Sequence, residues 1–372
     1  MSLFQIETAE EIADRKKPAF FLVKELSRRG YSVHYAVQRG SPLHQKATEA
    51  GLPVIPLKVR DSRNAASVFR LFLSMKRRTC RLVDVHDIRS VALGFAAASM
   101  AKVPLRIVSR WEELSWKGDD VLRRKYIQHV DAIMVVSEGV KKRLIDRGID
   151  SRLIQVIPDG IDFSPFTIET SEDYLRQEFT FGPDDFLVGM VAHLADEKGL
   201  KNLIQVTKYL KQKAPHIKLI VLGEGEMDFQ QSGPMRDIEG ENLFFCMGFQ
   251  ENLPRIIHSL DVFVQSSDQK GVGELLLAAM ACRLPVIVTK SEGITKGVAD
   301  GKTGLVVPSG RPKSIVQAVL KVYEGRNMAH QMGRRGHEFV YKKFSLEAMA
   351  SRIIDLYEEL ARKKGVILKR VI

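Results

Sequence analysis

The chain has 372 residues, a length that suits two domains better than one. Hydrophobic residues make up 45% of it and charged residues 27%, so packed cores are expected and extended disorder is excluded. The net charge of +12 favours an anionic membrane surface or a phosphate-rich small molecule as a partner. No zinc finger, helix-turn-helix or RNA-binding signature accompanies this charge, so nucleic acid is not an expected partner.

The cysteines and the apolar runs narrow the class of protein further. Cys80, Cys246 and Cys282 form an odd and widely spaced set, which argues against a disulfide framework or a zinc site, and no metal is expected. No apolar run approaches the roughly 18 residues of a membrane span, and residues 1–17 lack the apolar core of a signal peptide. We therefore expect a cytoplasmic protein that can lie peripherally at the inner face of the membrane.

Short apolar runs alternate with amphipathic helical stretches through the first half of the chain. This alternation predicts βαβ units and a parallel sheet. In chain order the expected elements are a helix at 20–29, a strand at 32–37, a helix at 65–75, a strand at 83–86, a helix at 91–101, strands at 105–108 and 132–136, and a helix at 138–147.

The same alternation resumes in the second half, which predicts a second parallel sheet of the α/β class. Ligands in open sheets of this kind bind beyond the carboxyl ends of the strands. The tail forms a long amphipathic helix. In chain order we expect a strand at 186–193, a helix at 200–211, strands at 218–222 and 243–246, a helix at 253–259, a strand at 262–265, a helix at 274–282, a strand at 286–289 and a helix at 346–364.

Prolines, a glycine and a polar run between residues 158 and 173 interrupt the periodicity and predict a domain boundary. We expect an N-terminal Rossmann-like domain at 1–165 and a C-terminal one at 166–345. Residues 346–372 form a separate helical segment.

Five short phrases, in order along the chain, resemble the family 4 retaining glycosyltransferases, which have the GT-B fold. Each phrase alone is weak, but together and in sequence they are a strong fold signal over roughly residues 20 to 365. The phrases are VVSEGVK at 135–141, IPDGID at 157–162 followed by Phe166, His193-Leu194 with EKG at 197–199, GEG at 223–225, and DGKTGL at 300–305 followed by Pro308.

The resemblance implies two Rossmann-like domains facing across a cleft, with the last helix crossing back to the first domain. Leu346, Met349, Ile353, Leu356 and Leu360 lie on one stripe of that helix and would pack on the first domain. The implied reaction moves a sugar from a nucleotide-sugar, UDP- or GDP-linked, to an acceptor with retention of configuration. No further cofactor is implied.

The resemblance also implies roles for particular residues. Lys198 and a helix N-terminus would neutralise the leaving diphosphate. His193 stands where the family usually has arginine, and His86, at a strand end, would contact the donor sugar as the catalytic histidine. Arg15 and Arg110 would lie on the acceptor side. The remaining implied donor contacts are Gly248, Lys270, Gly271, Val272, Gly273, Glu274 and Leu275.

Several family residues are replaced in this chain. Lys270, Ala278 and Lys296 stand where the family has glutamates, and a glutamate-to-lysine change turns a hydroxyl acceptor into a cationic donor. Glu274 lies one helical turn before Ala278. It would either replace part of the contact that the family glutamate makes there or cap its own helix. Residues 13–18 contain no glycine, although the family has a glycine-rich loop there.

Two function hypotheses follow from this pattern. One is an active retaining transferase that acts on a glycan or lipid-linked acceptor in cell-envelope polysaccharide or lipopolysaccharide synthesis, beside an anionic membrane surface. The other is a catalytically degenerate relative that works as a binding or partner subunit. A dinucleotide-dependent enzyme has little support, because no Gly-x-Gly-x-x-Gly follows the first strand.

Overall fold

The chain folds into two compact units, and each is built around one seven-stranded sheet. One unit consists of Met1–Gly160 together with Leu346–Ile372, and the other of Ile161–Ser345. The computed structural model describes residues 2–8, 18–59, 64–109, 129–167, 174–191, 197–222, 233–236, 242–247, 252–266, 273–291 and 297–368.

Seven parallel strands form the sheet of the N-terminal unit. They are β1 (Ser2–Glu7), β2 (Val33–Gln38), β3 (Val54–Leu57), β4 (Cys80–Val85), β5 (Leu105–Val108), β6 (Ala132–Val135) and β7 (Ile154–Val156). Their order across the sheet is β3-β2-β1-β4-β5-β6-β7. The strand order reverses beside β1, and in sheets of this type ligands bind at such a point.

Twelve α-helices lie within the described residues and alternate with the strands. They are α1 (Pro18–Arg28), α2 (Pro42–Glu49), α3 (Ala65–Arg77), α4 (Ile88–Met100), α5 (Glu138–Asp146), α6 (Tyr174–Phe179), α7 (Glu197–Lys213), α8 (Leu253–His258), α9 (Glu274–Ala281), α10 (Pro312–Glu324), α11 (Arg326–Phe344) and α12 (Leu346–Lys363).

Helices cover both faces of the N-terminal sheet. Those on one face, α3, α4 and α5, share an apolar core with the sheet, and α1, α2 and α12 share another core with the opposite face. Asn64, Asp87 and Ser137 begin α3, α4 and α5 by accepting a hydrogen bond from the backbone N–H three residues on. Gly94 lets α4 approach the sheet, since a Cβ there would stand 2.9 Å from Ile6 Cδ1 and Val85 Cγ1.

The last helix, α12, belongs to the N-terminal unit although it follows the whole of the other unit in sequence. Met349, Ile353 and Leu356 are buried in the core that it shares with α1, and Leu346 and Leu360 pack at its border. The predicted packing of this stripe on the N-terminal domain is therefore confirmed.

The C-terminal unit contains a second sheet of seven strands. They are β8 (Phe186–Val191), β9 (Ile217–Leu222), β10 (Gly233–Arg236), β11 (Asn242–Met247), β12 (Val262–Gln265), β13 (Val286–Thr289) and β14 (Leu305–Val307). Their order is β10-β11-β9-β8-β12-β13-β14, and only the edge pair β10 and β11 is antiparallel. Helices again cover both faces: α7 and α10 on one, α6, α8 and α9 on the other.

The predicted class, two Rossmann-like parallel sheets with alternating helices, is confirmed. Several strands and helices are not predicted from the sequence, among them β3, β7, β10, β14, α2, α10 and α11. Another is at the N-terminus, where Ser2–Glu7 forms the strand between β2 and β4. No helix in the described part of the chain is both long and apolar enough to cross a membrane.

Candidate functional site

Polar side chains collect where β1, β4 and β5 end, at one edge of the N-terminal sheet. Thr8, His86 and Ser109 directly follow these three strands, and all three are buried. His86 and Ser109 also line a small cavity of about 20 Å³, together with Met349 of α12 and Asp159. The carboxyl edge of this sheet thus brings the predicted catalytic histidine next to a hydroxyl, a carboxylate and the final helix.

His86 belongs to a buried hydrogen-bond network that spans the sheet and α12. Its Nε2 lies 2.6 Å from Gln5 Oε1 on β1 and 3.6 Å from Asp84 Oδ2 on β4. The Tyr357 hydroxyl donates to Asp84 Oδ2 at 2.5 Å and accepts a bond from Gln5 Nε2 at 3.1 Å. Ser109 Oγ donates to Asp84 Oδ1 at 2.6 Å. Both carboxylate oxygens of the buried Asp84 are therefore satisfied.

The network also determines which nitrogen of His86 carries a proton. Asp84 as a carboxylate only accepts, so the single hydroxyl proton of Tyr357 points to it. The Tyr357 oxygen must then accept from the amide NH₂ of Gln5, which turns Gln5 Oε1 towards His86. His86 Nε2 must therefore be a donor, and in the neutral ring Nδ1 is the acceptor.

Tyr357 is well suited to donate within this network. Burial, followed by the Asp84 carboxylate beside it, holds the pKa of Tyr357 well above its usual value. The phenol is consequently neutral throughout the physiological range and keeps its proton for Asp84.

A second carboxylate fixes the loop next to His86. Asp87 Oδ2 accepts from the backbone N–H of Thr8 at 2.6 Å, and Oδ1 accepts from the N–H of Ser90 at 2.9 Å. The Ser90 hydroxyl bonds the same carboxylate. Asp87 thus caps α4 and ties the end of β1 to it, which makes the sheet edge around His86 rigid.

In the C-terminal unit the corresponding edge is formed by the ends of β8, β12 and β13. Lys198 is the second residue of α7, the helix that follows β8. Gln265 and Thr289 are the last residues of β12 and β13, and both are buried. Thr289 Oγ1 is buried there with no hydrogen-bond partner among the described residues.

The part of the predicted donor loop that the structure describes begins at Gly273, directly before α9. A Cβ at Gly273 would lie 2.6 Å from Gln265 Nε2, so the glycine lets the loop pack closely on the end of β12. The glycine is therefore required here by contact with a side chain of the sheet, in addition to any contact with a ligand.

The first turn of α9 differs in exposure from residue to residue. Glu274 is exposed and Leu275 is half-buried, whereas Ala278, one turn on, is 1% exposed within an apolar core. Glu274 is the first residue of the helix, and Gly273 before it is the N-cap residue, which has no side chain to cap the helix. The negative charge of Glu274 at the N-terminal end still stabilises the helix through the helix dipole.

The backbone of Lys198 is described, and its side chain is not. The other predicted site residues lie outside the described residues. They are Arg15, Arg110, His193, Gly248, Lys270, Gly271 and Val272, and the replaced position Lys296 lies there too.

Family comparison covers both units of the chain. The model of Glycosyltransferase Family 4 matches residues 19–164, and that of Glycosyl transferases group 1 matches residues 171–339. The chain belongs to glycosyltransferase family 4.

Relatives of this family 4 chain include glycosyltransferases of envelope polysaccharides. It is 24% identical to the capsular polysaccharide biosynthesis glycosyltransferase CapM of Staphylococcus aureus, over 92% of this chain and 93% of CapM. It is 27% identical to the lipopolysaccharide core biosynthesis glycosyltransferase LpsE of Rhizobium meliloti, over 68% of this chain and 70% of LpsE. The crystal structure of Anabaena HepE in complex with UDP superposes with a TM-score of 0.68 and 16% identity, over 96% of this chain and 100% of HepE.

Four residues around His86 in this family 4 chain are absent from the sequence-based site: Gln5, Asp84, Ser109 and Tyr357. A local signal exists for two of them, because Asp84 and Ser109 are polar residues in or directly after apolar strands. Gln5 and Tyr357 lie 352 positions apart, and no spacing in the sequence indicates their contact.

Proposed function

We propose that this protein transfers a sugar, with retention of configuration, from a UDP- or GDP-linked donor to a glycan or lipid-linked acceptor. The product would be a cell-envelope polysaccharide or lipopolysaccharide, made on the cytoplasmic side of the membrane. The names of CapM and LpsE support the envelope setting, and UDP bound to HepE supports a nucleotide-linked donor.

The observation that carries this proposal is the buried network around His86. Five polar side chains from three neighbouring strands and a distant helix each make at least one hydrogen bond within it, although an apolar core would need no such arrangement. Protonation at Nε2 leaves His86 Nδ1 to accept a hydrogen bond, for which a sugar hydroxyl is a suitable donor. A histidine held in one tautomer by its neighbours is the arrangement that positioned substrate contacts require.

The leaving nucleoside diphosphate carries negative charge, and the proposal assigns its neutralisation to Lys198 and helix N-termini. Lys198 lies in the first turn of α7, directly beyond the end of β8. The exposed Lys208 on the same helix serves as a matched control. Calorimetric titration with UDP, GDP and their sugar conjugates should show binding that Lys198→Ala abolishes and Lys208→Ala retains.

Absence of binding to any nucleotide by the folded protein would contradict the proposal. Transfer should also persist in EDTA, because the charge of the leaving group is assigned to the protein. The anomeric configuration of the product, read by NMR after transfer from an α-linked donor, decides between retention and inversion.

A second variant tests the role of His86. His86→Gln keeps an N–H donor near Gln5 but removes the ring acceptor Nδ1, so the fold should be preserved while transfer falls. A loss of roughly tenfold in kcat/KM is expected if this hydrogen bond is made in the transition state. Unchanged kinetics in a folded His86→Gln protein would assign the histidine to structure alone.

One observation favours the alternative of a non-catalytic partner subunit. Ala278 is buried in an apolar core at the position where the family resemblance places a glutamate, so no acceptor for ribose hydroxyls stands there. Binding of a protein partner together with failure to bind any nucleotide would support that alternative.

A further inference from the structure

Glu7 is the last residue of β1, at the edge of the N-terminal sheet where the strand order reverses. Its side chain is half-buried, whereas Gln5 and Ile6 before it and Thr8 after it are buried. Ligands of open α/β sheets bind at this kind of edge, because the connections beyond the strand ends diverge there. Glu7 therefore places a carboxylate, partly open to solvent, at a position where the fold favours a ligand.

A buried tyrosine orients this carboxylate. Tyr35 is fully buried on β2 opposite Gln5, and its hydroxyl donates a hydrogen bond to Glu7 Oε2. Burial, and then the charge of Glu7, hold the pKa of Tyr35 well above its usual value, so the phenol keeps the proton that it donates. One oxygen of Glu7 is thus fixed, while Oε1 accepts no hydrogen bond from the described part of the chain.

Two other carboxylates near this edge differ from Glu7 in their bonding. Both oxygens of Asp84 are occupied within the network around His86. Both oxygens of Asp87 are occupied by backbone and hydroxyl donors at the end of β1 and in the first turn of α4. The chain thus uses Asp84 and Asp87 for its own structure, whereas Glu7 retains an oxygen that has no donor among the described residues.

The charge of Glu7 needs a reason beyond its hydrogen bond with Tyr35. A neutral glutamine would accept the same bond through its amide oxygen. The charge of Asp87 also acts on the Tyr35 hydroxyl and raises its pKa further, so Glu7 stands near a second carboxylate and the two repel each other. A charged group that is kept against such repulsion is typical of a functional position.

Glu7 and His86 occupy corresponding positions on neighbouring strands. Ile6 pairs with Val85, and Glu7 and His86 are the residues that follow this pair. Neighbouring strands are about 4.8 Å apart, and side chains two residues apart on a strand lie on one face of the sheet. Gln5, two residues before Glu7, contacts the His86 ring, so the Glu7 carboxylate and that ring lie on the same face.

We propose that Glu7, oriented by Tyr35, binds hydroxyl groups of the acceptor sugar. In the proposed reaction His86 contacts the donor sugar, so the acceptor lies close to His86, as Glu7 does. A carboxylate accepts strong hydrogen bonds from hydroxyl groups and repels phosphate, so the sugar unit that carries the reacting hydroxyl is uncharged. Any phosphate of a lipid-linked acceptor then lies away from Glu7. The inference rests on the proposed transferase function and adds the chemical class of the acceptor unit.

Saturation-transfer NMR tests this binding without nucleotide or turnover. The probes are the methyl α-glycosides of glucose, galactose, mannose and N-acetylglucosamine, with glucose 6-phosphate as the anionic probe. The unaltered protein should bind at least one methyl glycoside and not the phosphate. Glu7→Gln, which keeps an acceptor for Tyr35, should weaken that binding by roughly tenfold or more, because a hydrogen bond to a charged group is lost. Glu49→Gln, the same change at an exposed position on α2, should bind as the unaltered protein does.

Tyr35→Phe tests the orientation of the carboxylate. This variant removes the donor to Oε2 and leaves the charge, so its affinity for the same glycoside should fall, but by less than in Glu7→Gln. Circular dichroism melts of each variant check that the fold is kept. Binding of no methyl glycoside by the unaltered protein, preference for glucose 6-phosphate, or equal affinity in Glu7→Gln and Glu49→Gln would each overturn the proposal. An affinity in Tyr35→Phe equal to that of the unaltered protein would overturn the orienting role of Tyr35.

The acceptor proposal and the transferase proposal can fail separately. Lys198→Ala should lose nucleotide binding and keep glycoside binding, and Glu7→Gln should do the reverse. Glycoside binding that depends on Glu7, in a protein that binds no nucleotide, would contradict the transferase proposal while supporting a sugar site at Glu7. Loss of nucleotide binding in a folded Glu7→Gln protein would assign the carboxylate to the donor and overturn the acceptor proposal.

Discussion

The hydroxyl of Tyr357 donates a 2.5 Å hydrogen bond to Asp84 Oδ2, which joins two residues 273 positions apart. Through this bond the final helix contacts the carboxylate that lies beside His86, and Gln5 completes the link. The position of α12 and the hydrogen-bonded orientation of the His86 ring are therefore linked.

Removal of the Tyr357 hydroxyl should destabilise the N-terminal unit. In Tyr357→Phe, Asp84 Oδ2 and Gln5 Nε2 each lose a buried partner, so a loss of about 1–3 kcal/mol in the free energy of unfolding is expected. Urea unfolding followed by circular dichroism measures this loss. Tyr209→Phe, on the core of the other unit, is the control, and equal midpoints for the two variants would contradict the prediction.

Truncation after Phe344 should lower the melting temperature of the N-terminal unit. The deletion removes α12 and exposes the part of the core that lies against α1. Truncation after Leu368 leaves that helix intact and should have little effect. An unchanged melting curve in the shorter protein would show that α12 contributes nothing to the stability of this unit.

Gly333 should not tolerate a side chain, whereas Gly336, one turn later on α11, should tolerate one better. A Cβ at Gly333 would stand 1.9 Å from the Arg283 carbonyl oxygen, and one at Gly336 would stand 3.3 Å from that of Thr303. Gly333→Ala should therefore cost about 1–3 kcal/mol, since the helix must move from the backbone it packs on. Circular dichroism melts of the two variants compare them directly, and equal stabilities would count against this packing.

Acidification should weaken the N-terminal unit partly through His34. Burial, and then the charge of Arg78, lower the pKa of His34 to about 4, below its ordinary value of 6.5. Between these two values the unfolded chain binds more protons, so the free energy of unfolding falls as the pH is lowered through this range. His34→Gln should flatten that dependence and His330→Gln, exposed on the other unit, should not; parallel curves for His34→Gln and the unaltered protein would refute the assignment.

The sequence predicts best the short strands in which apolar residues predominate. Leu105–Val108, Val262–Gln265 and Val286–Thr289 have the predicted limits, because buried parallel strands are short β-rich runs bounded by polar residues. Ser2–Glu7 is missed because Gln5 interrupts its apolar pattern, and the reason for a glutamine there is its contact with Tyr357.

The candidate site could likewise be predicted only in part from the sequence. His86 could be found from the sequence because it directly follows a strand, where α/β sheets place ligand contacts. The tautomer of its ring could not be found from the sequence, because it depends on a chain of hydrogen bonds through Gln5, Tyr357 and Asp84 that only the folded chain assembles. The close packing of Gly273 on the Gln265 side chain is likewise a tertiary contact, which the sequence does not indicate.

The return of α12 to the first sheet has a consequence for synthesis on the ribosome. Residues Ile161–Ser345 form one uninterrupted unit, which can complete its core as soon as it has emerged. The unit that begins the chain must wait for Met349, Ile353 and Tyr357, so the part made first is finished last. During that interval the apolar surface of α1 and the carboxylate of Asp84 lack the partners that α12 supplies.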